Sequence, residues 1–158
     1  MKTHPACAAH NVAVITGGAD GIGLAAARYF LSLEMRVCIA DVDEGKLQEA
    51  AAANDGLLAV VTDVSSAEDV QALKNKVYEA FGQVDVLMNN AGVARHCQSW
   101  SGYQEWQDTL NINLWGVLNG VHTFTPDKIA EGTPGLIINT GSKQGISCPP
   151  GNPAYNVS

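Results

Sequence analysis

The stretch Val12–Gly23, with the sequence VAVITGGADGIG, constrains the fold of this chain more than any other segment. Its β-branched apolar run predicts a buried strand, and an apolar pattern at helical spacing follows the glycines Gly17, Gly21 and Gly23. Residues without a Cβ let the backbone approach a ligand closely, and a helix N-terminus favours an anion. The stretch therefore predicts either a sharp strand–helix connection or an anion-binding turn.

The rest of the chain predicts strands that alternate with helices. The predicted strands are Asn11–Thr16, Arg36–Ala40, Leu57–Val61, Val84–Met88 and Leu136–Thr140. The predicted helices are Ile22–Leu33, Glu44–Ala53, one from Ser65 or Ser66 to Phe81, and one at Tyr103–Ala130 that Pro126 kinks or ends early. This alternation predicts an α/β, doubly wound, Rossmann-like three-layer fold with a parallel sheet. Residues 1–10 are expected to be a loose lead-in to a single domain at residues 11–158.

Charge and cysteine content exclude several classes of function. A formal net charge of −7 disfavours nucleic acid and anionic membranes as partners, because no basic stripe is present to neutralise phosphates. No apolar run approaches the roughly 18 residues that span a bilayer. The four cysteines lie far apart and the four histidines lack ligand spacing, so we expect reduced thiols in the cytoplasm and no structural metal.

Glycines and polar residues follow all five predicted strands. Because the carboxyl ends of parallel strands meet at one edge of a sheet, these residues are expected to line one crevice there. Scattered turn residues have no reason to converge in this way, so the anion-binding interpretation of the first turn is favoured. The residues concerned are Gly17–Gly23, Asp41, Asp63, Asn90–Gly92 and Ser142.

The spacing of these motifs resembles that of the short-chain dehydrogenase/reductase family over almost the whole chain. Thr16–Gly23 has the form T-G-x-x-x-G-x-G, and Asn89–Gly92 reads N-N-A-G. Tyr155 follows Ser142 by 13 positions, the spacing of the family's catalytic serine and tyrosine. The resemblance implies hydride transfer between a nicotinamide dinucleotide and a secondary alcohol or ketone.

Cofactor-binding roles follow from the resemblance. Asp41, which lies 18 positions after Gly23, is expected to accept hydrogen bonds from the adenosine ribose and to repel a 2′-phosphate. Asp20 stands where NADP-preferring relatives often carry a basic residue, so NAD is predicted over NADP. The implied cofactor-binding residues are Gly17, Asp20, Gly21, Ile22, Gly23, Asp41, Asp63, Val64, Asn90, Ala91, Gly92 and Tyr155.

The resemblance also implies the catalytic residues. Tyr155 is expected to act as the general acid/base, Ser142 to hydrogen-bond the substrate oxygen, and Asn113 to belong to a proton relay. A free phenol titrates near pH ~10, so the family places a lysine one helical turn after its tyrosine. The sequence ends at Ser158, one residue before that position, and Lys143 adjoins Ser142 instead.

Two other interpretations stay open. The chain is expected to be the N-terminal, C-terminally incomplete part of such an enzyme, with a parallel sheet that stops after about five strands. One alternative is therefore a truncated NAD-binding module without turnover. The other is a flavodoxin-like domain for FMN or phosphate, which does not predict Asp41, the N-N-A-G motif or the Ser142–Tyr155 spacing. A homo-oligomer is expected only of a full-length form.

Overall fold

Within residues 4–100 and 102–158, which the computed structural model describes, five parallel strands form one sheet. Their spatial order is β3-β2-β1-β4-β5, and all four neighbouring pairs run parallel. The strands are β1 (Val12–Thr16), β2 (Arg36–Asp41), β3 (Leu57–Val61), β4 (Val86–Asn89) and β5 (Leu136–Asn139).

Helices connect the strands and cover the sheet. They are α1 (Gly21–Ser32), α2 (Glu44–Ala52), α3 (Ala67–Phe81), α4 (Tyr103–Leu110), α5 (Gly116–Glu131), α6 (Gln144–Ser147) and α7 (Pro153–Val157). A π-helical segment, Asn111–Trp115, joins α4 to α5 without a break. The predicted α/β parallel fold is thus confirmed, and most of its element boundaries differ from the structure by one or two residues.

Three local predictions were wrong. The single helix expected at Tyr103–Ala130 is two α-helices with a π segment between them. Pro126 does not end it, because Pro126 and His122 both face solvent, where water can satisfy the His122 carbonyl that lacks an N–H partner. The lead-in is not loose over its described part: Pro5–Cys7 forms a 3₁₀ turn that buries Ala6 completely.

Side chains alternate between the two faces of the sheet, and each face has its own apolar core. On one face, Ile15 and Ile39 pack with Phe30 of α1 and Leu47 of α2. The opposite face packs against α3 and α5, through Leu73, Val77 and Phe124 among others. All five residues of β1 are buried, as expected for a central strand covered on both sides.

The strand order reverses between β1, the central strand, and its neighbour β4. In doubly wound folds the loops diverge at such a reversal and open a crevice at the carboxyl ends of the strands. The glycine turn follows β1 and the Asn90–Gly92 loop follows β4, so both border this crevice. At the far end of the sheet, β5 pairs with β4 alone among the strands that the structure describes, and its Ile137 is 40% exposed.

A partly buried charge network lies at the opposite, amino-terminal edge of the sheet. The Asp85 carboxylate accepts hydrogen bonds from the Val12 backbone N–H (2.9 Å), from Gln83 (2.6 Å) and from the Lys128 ammonium (2.8 Å). Lys128 also binds Glu131 at 2.9 Å. The network ties β1, β4 and α5 together, and the motif search of the sequence did not identify it.

The side chains of the four cysteines are free thiols. No helix within the described ranges is long and apolar enough to cross a membrane.

Candidate active site

Close backbone packing explains the glycines of the first turn. Gly17 has a φ of +61°, and a Cβ there would lie 2.8 Å from the Ala91 Cα. A Cβ on Gly23 would overlap the Gly17 carbonyl oxygen. Gly21 differs, because its φ of +52° favours glycine while the space around it is open. The turn therefore lies against the Asn90–Ala91 segment that follows β4, and Gly17, which has no side chain, lines the crevice.

Thr16 and Asn90 hold this turn to the end of β4. Ladder pairing between β1 and β4 ends at Ile15 and Met88, and beyond it the Thr16 hydroxyl accepts the backbone N–H groups of Asn90 (3.0 Å) and Ala91 (3.1 Å). The Asn90 amide donates in return to the carbonyls of Thr16 and Gly17, both at 3.1 Å. The Asn90 side chain therefore shapes the turn, and Asn90 also lines the crevice.

The N-terminus of α1 points toward the crevice. Asp20 caps the helix by accepting the Gly21 N–H at 2.7 Å. Ile22 is 71% exposed and Gly23 is buried in the same first turn. The first N–H groups of a helix lack partners inside it and carry partial positive charge, so this turn can bind an anion.

A cleft of about 260 Å³ lies between the loops that follow the first four strands. Asp41, half-buried at its wall, accepts the Ala19 N–H at 3.3 Å and the Asp43 N–H at 3.2 Å. The Asp63 carboxylate is exposed and binds the N–H and hydroxyl of Ser65. The lining residues are Gly17, Asp41, Val42, Thr62, Asp63, Val64, Asn90, Ala91, Gly92, Val93 and Ile112.

A second cleft, of about 220 Å³, lies next to the first. Ala91 and Gly92 line both clefts, so the two share a wall. The structure brings Asn113, Ser142 and Tyr155 together here, although 42 residues separate the first from the last. None of the described residues that line this second cleft is basic.

Asn113 lies in the middle of the π segment, and its side chain is fully engaged. Its amide oxygen accepts the Val93 N–H at 2.8 Å, and its amide nitrogen donates to the Val93 carbonyl and to the Ser158 hydroxyl, both at 2.9 Å. Single π turns inside α-helices are often found at functional sites. Asn113 therefore fixes the loop after β4 and links it to the segment that carries Tyr155.

Ser142 and Tyr155 present hydroxyl groups to this cleft. Ser142 is exposed, and its oxygen accepts the Gln144 N–H at 3.2 Å, which leaves its own proton for donation. Tyr155 is half-buried in α7. Its hydroxyl makes no hydrogen bond to the parts of the chain that the structure describes. The pair can bind and exchange a proton with a substrate oxygen.

The sequence motifs do not give two features of this region. Thr16 is the first residue of the T-G-x-x-x-G-x-G motif, but the pattern does not predict that its hydroxyl accepts the N–H groups of Asn90 and Ala91. The second feature is the contact of Lys46 with Asp20 at 3.0 Å. Lys46 belongs to no sequence motif, and the contact forms because α2 lies beside α1.

Known proteins resemble this chain in sequence. Residues 11–158 match the family model for short chain dehydrogenase. The 3beta-hydroxysteroid dehydrogenase 2 of Eggerthella lenta is 34% identical over 161 aligned residues, which cover 98% of this chain and 62% of the relative. The 2-(R)-hydroxypropyl-CoM dehydrogenase of Xanthobacter autotrophicus is 31% identical over 94% of this chain and 62% of its own length. The chain thus spans less than two thirds of these curated relatives.

A solved structure resembles the chain as well. A short chain dehydrogenase/reductase from Burkholderia phymatum, crystallised in complex with NAD, is 40% identical and superposes with a TM-score of 0.91. The match covers 94% of this chain and 55% of that one.

Proposed function

The chain belongs to the short chain dehydrogenase family, and from that premise we propose that it is the dinucleotide-binding and catalytic part of an NAD-dependent oxidoreductase. Its substrate is a secondary alcohol or the corresponding ketone. One observation carries the proposal: the glycine turn, Asp41 and the Asn113–Ser142–Tyr155 group border two clefts that share a wall.

The residues present fit a dinucleotide. The turn at Gly17–Gly23 brings Gly17, which has no side chain, to the wall of the first cleft and ends in a helix N-terminus, which suits a pyrophosphate. Asp41 has a carboxylate at the wall of the first cleft for the ribose hydroxyls, and Val64 and Asp63 line the same cleft for the adenine ring. A structural relative with 40% identity was crystallised with NAD, which supports the choice of cofactor.

The chemistry divides between the cofactor and the chain. A bound nicotinamide accepts or supplies the hydride. In oxidation, Tyr155 in its phenolate form would accept the proton of the substrate hydroxyl while the substrate C–H bond releases the hydride. In reduction, the Tyr155 phenol would donate its proton to the carbonyl oxygen. Ser142 donates a hydrogen bond to this oxygen and holds it toward Tyr155. Asn113 positions the loop beside them through Val93.

A second candidate function is NAD binding without turnover. No described residue that lines the cleft around Ser142 and Tyr155 is basic, so no positive charge there stabilises a tyrosinate. Tight binding of NAD by a chain that oxidises none of a panel of secondary alcohols would favour this alternative.

Replacement of Tyr155 tests the proposed function. Tyr155→Phe removes only the hydroxyl, so we expect NAD affinity by calorimetry to stay within about twofold while turnover falls by about 100-fold or more. Tyr103→Phe is the matched control, because Tyr103 is 90% exposed and lies outside both clefts. The assay uses the natural gene product, with its intact mass measured, and both NAD and NADP. Unchanged turnover in Tyr155→Phe would remove Tyr155 from its role, and tighter binding of NADP would reject the NAD preference.

Other features of the proposal depend on the whole protein. We propose a small-molecule partner and a cytoplasmic location, and a homo-oligomer for a full-length form. Size-exclusion chromatography with light scattering and fractionation of the source cells test the last two.

A further inference from the structure

An ion pair joins the glycine turn to the second helix. Asp20 uses one carboxylate oxygen to cap α1 through the Gly21 N–H, and its other oxygen lies 3.0 Å from the Lys46 ammonium. Lys46 is held in the first turn of α2, where its backbone N–H donates to Asp43 at 3.0 Å. The two side chains are 70% and 52% exposed, so the pair lies at the surface.

This pair lies beside the proposed ribose carboxylate. Asp41 accepts the N–H of Ala19, the residue before Asp20, so the two acids flank one peptide segment. The hydrogen bond and charge of Asp20 raise the pKa of Lys46, and the charges of Asp43 and Asp41 raise it further. We call the group formed by Asp20, Asp41, Asp43 and Lys46 the ribose corner. It combines three carboxylates with one ammonium group.

The ammonium has access to open space. Asp20 and Lys46 line a cavity of about 300 Å³ between α1 and α2. Arg28 lines the same cavity and donates to Asn54 at 3.1 Å, whereas the Lys46 ammonium pairs with Asp20. Lys46 is thus the cation that Asp20 holds in the ribose corner.

We propose that the Asp20–Lys46 ion pair determines specificity at the 2′-position of the dinucleotide: Asp20 neutralises the Lys46 ammonium, which is available to a 2′-phosphate only when residue 20 carries no charge. This inference rests on the proposed function. While Asp20 binds the ammonium, the ribose corner repels a 2′-phosphate through its excess of carboxylates. When Asp20 is neutral, Lys46 loses its partner and its ammonium becomes available to a 2′-phosphate.

Coupling between the two residues tests the inference in the full chain. Asp20→Ser keeps a helix-capping hydroxyl and removes the charge, and we expect NADP affinity to rise on the order of tenfold. The ratio of NADP to NAD affinity should rise by a similar factor, since NAD has no phosphate at the 2′-position. Adding Lys46→Ala should abolish most of the gain, whereas Lys46→Ala alone should change NADP affinity by less than about twofold because the ammonium is already neutralised.

The controls separate the possible results. Asp127→Ser breaks the Lys74–Asp127 pair between α3 and α5, away from the turn, and should leave both affinities unchanged. Asp20→Asn keeps the side-chain size if the serine variant unfolds. If NAD still binds and Lys46→Ala changes NADP affinity by the same factor in the wild type and in Asp20→Ser, the inference is overturned. A chain that binds neither dinucleotide would instead overturn the proposed function, and this inference with it.

Discussion

Replacement of Thr16 tests whether its hydroxyl holds the glycine turn to the loop that follows β4. Its hydroxyl accepts the N–H groups of Asn90 and Ala91 and lies 3.5 Å from the Met88 carbonyl. Thr16 is only 4% exposed. Thr16→Val keeps the shape and burial of the side chain but leaves two backbone N–H groups without their acceptor.

The expected loss of stability follows from these two groups. An unsatisfied buried donor costs about 1–3 kcal/mol, and both groups are partly buried, so Thr16→Val should destabilise the fold by about 2–4 kcal/mol. For a chain of this length each kcal/mol lowers the melting temperature by about 2–4 °C, which gives a decrease of roughly 5–15 °C.

Thr62→Val is the matched control. Thr62 is 1% exposed, and its hydroxyl donates only to the Val60 carbonyl at 3.3 Å, so its loss leaves no N–H group without an acceptor. We expect Thr62→Val to lower the free energy of unfolding by less than about 1 kcal/mol. Urea titration followed by circular dichroism measures this free energy for both variants. The reasoning is refuted if Thr16→Val and Thr62→Val lose the same stability, or if Thr16→Ser loses as much as Thr16→Val.

Three further predictions concern the frame around the site. Gly120→Ala should cost about 1–3 kcal/mol, because its Cβ would overlap the buried Asn89 amide oxygen and push α5 from β4. Gly82→Ala should cost about 1 kcal/mol in urea unfolding, because Gly82 ends α3 with a φ of +80° and a Cβ there meets nothing. Burial raises the pKa of Asp85, but hydrogen bonds from a lysine, a backbone N–H and a glutamine outweigh it and lower the pKa below its ordinary value. The stabilisation from Asp85 is therefore complete above the unfolded pKa of about 3.9 and is lost as the pH falls below it, so stability curves of the wild type and Asp85→Asn should converge in acid.

Each of these predictions has a result that contradicts it. Gly141 also has open space around it but no positive φ, so Gly141→Ala should be neutral, and equal losses at Gly82 and Gly141 would reject the backbone argument. A Gly120→Ala variant as stable as the wild type would show that α5 packs loosely enough against β4 to accommodate a Cβ. Parallel pH curves for wild type and Asp85→Asn below pH ~4 would remove the assigned ionic role of Asp85.

Local patterns predicted the elements but not all of their details. The apolar run of β1 and the helical spacing after it depend only on neighbouring residues, so both were predicted closely. The π segment was not predicted, because π turns are rare and occur mostly as single turns inside α-helices, so a helical pattern predicts an α-helix throughout. The Asn113 contacts with Val93 explain why this segment is useful at the site, and they join parts of the chain 20 residues apart.

The sequence by itself determined the α/β class and the edge of the sheet at which the candidate site lies. Alternating strand and helix patterns require a parallel sheet, and parallel strands bring the residues that follow them to one edge. Only the tertiary structure decided the strand order, the Thr16–Asn90 contacts, the Asp20–Lys46 pair and the Asp85–Lys128 network. Each of these joins residues 26 to 74 positions apart, and such contacts depend on how packed elements meet rather than on any local preference.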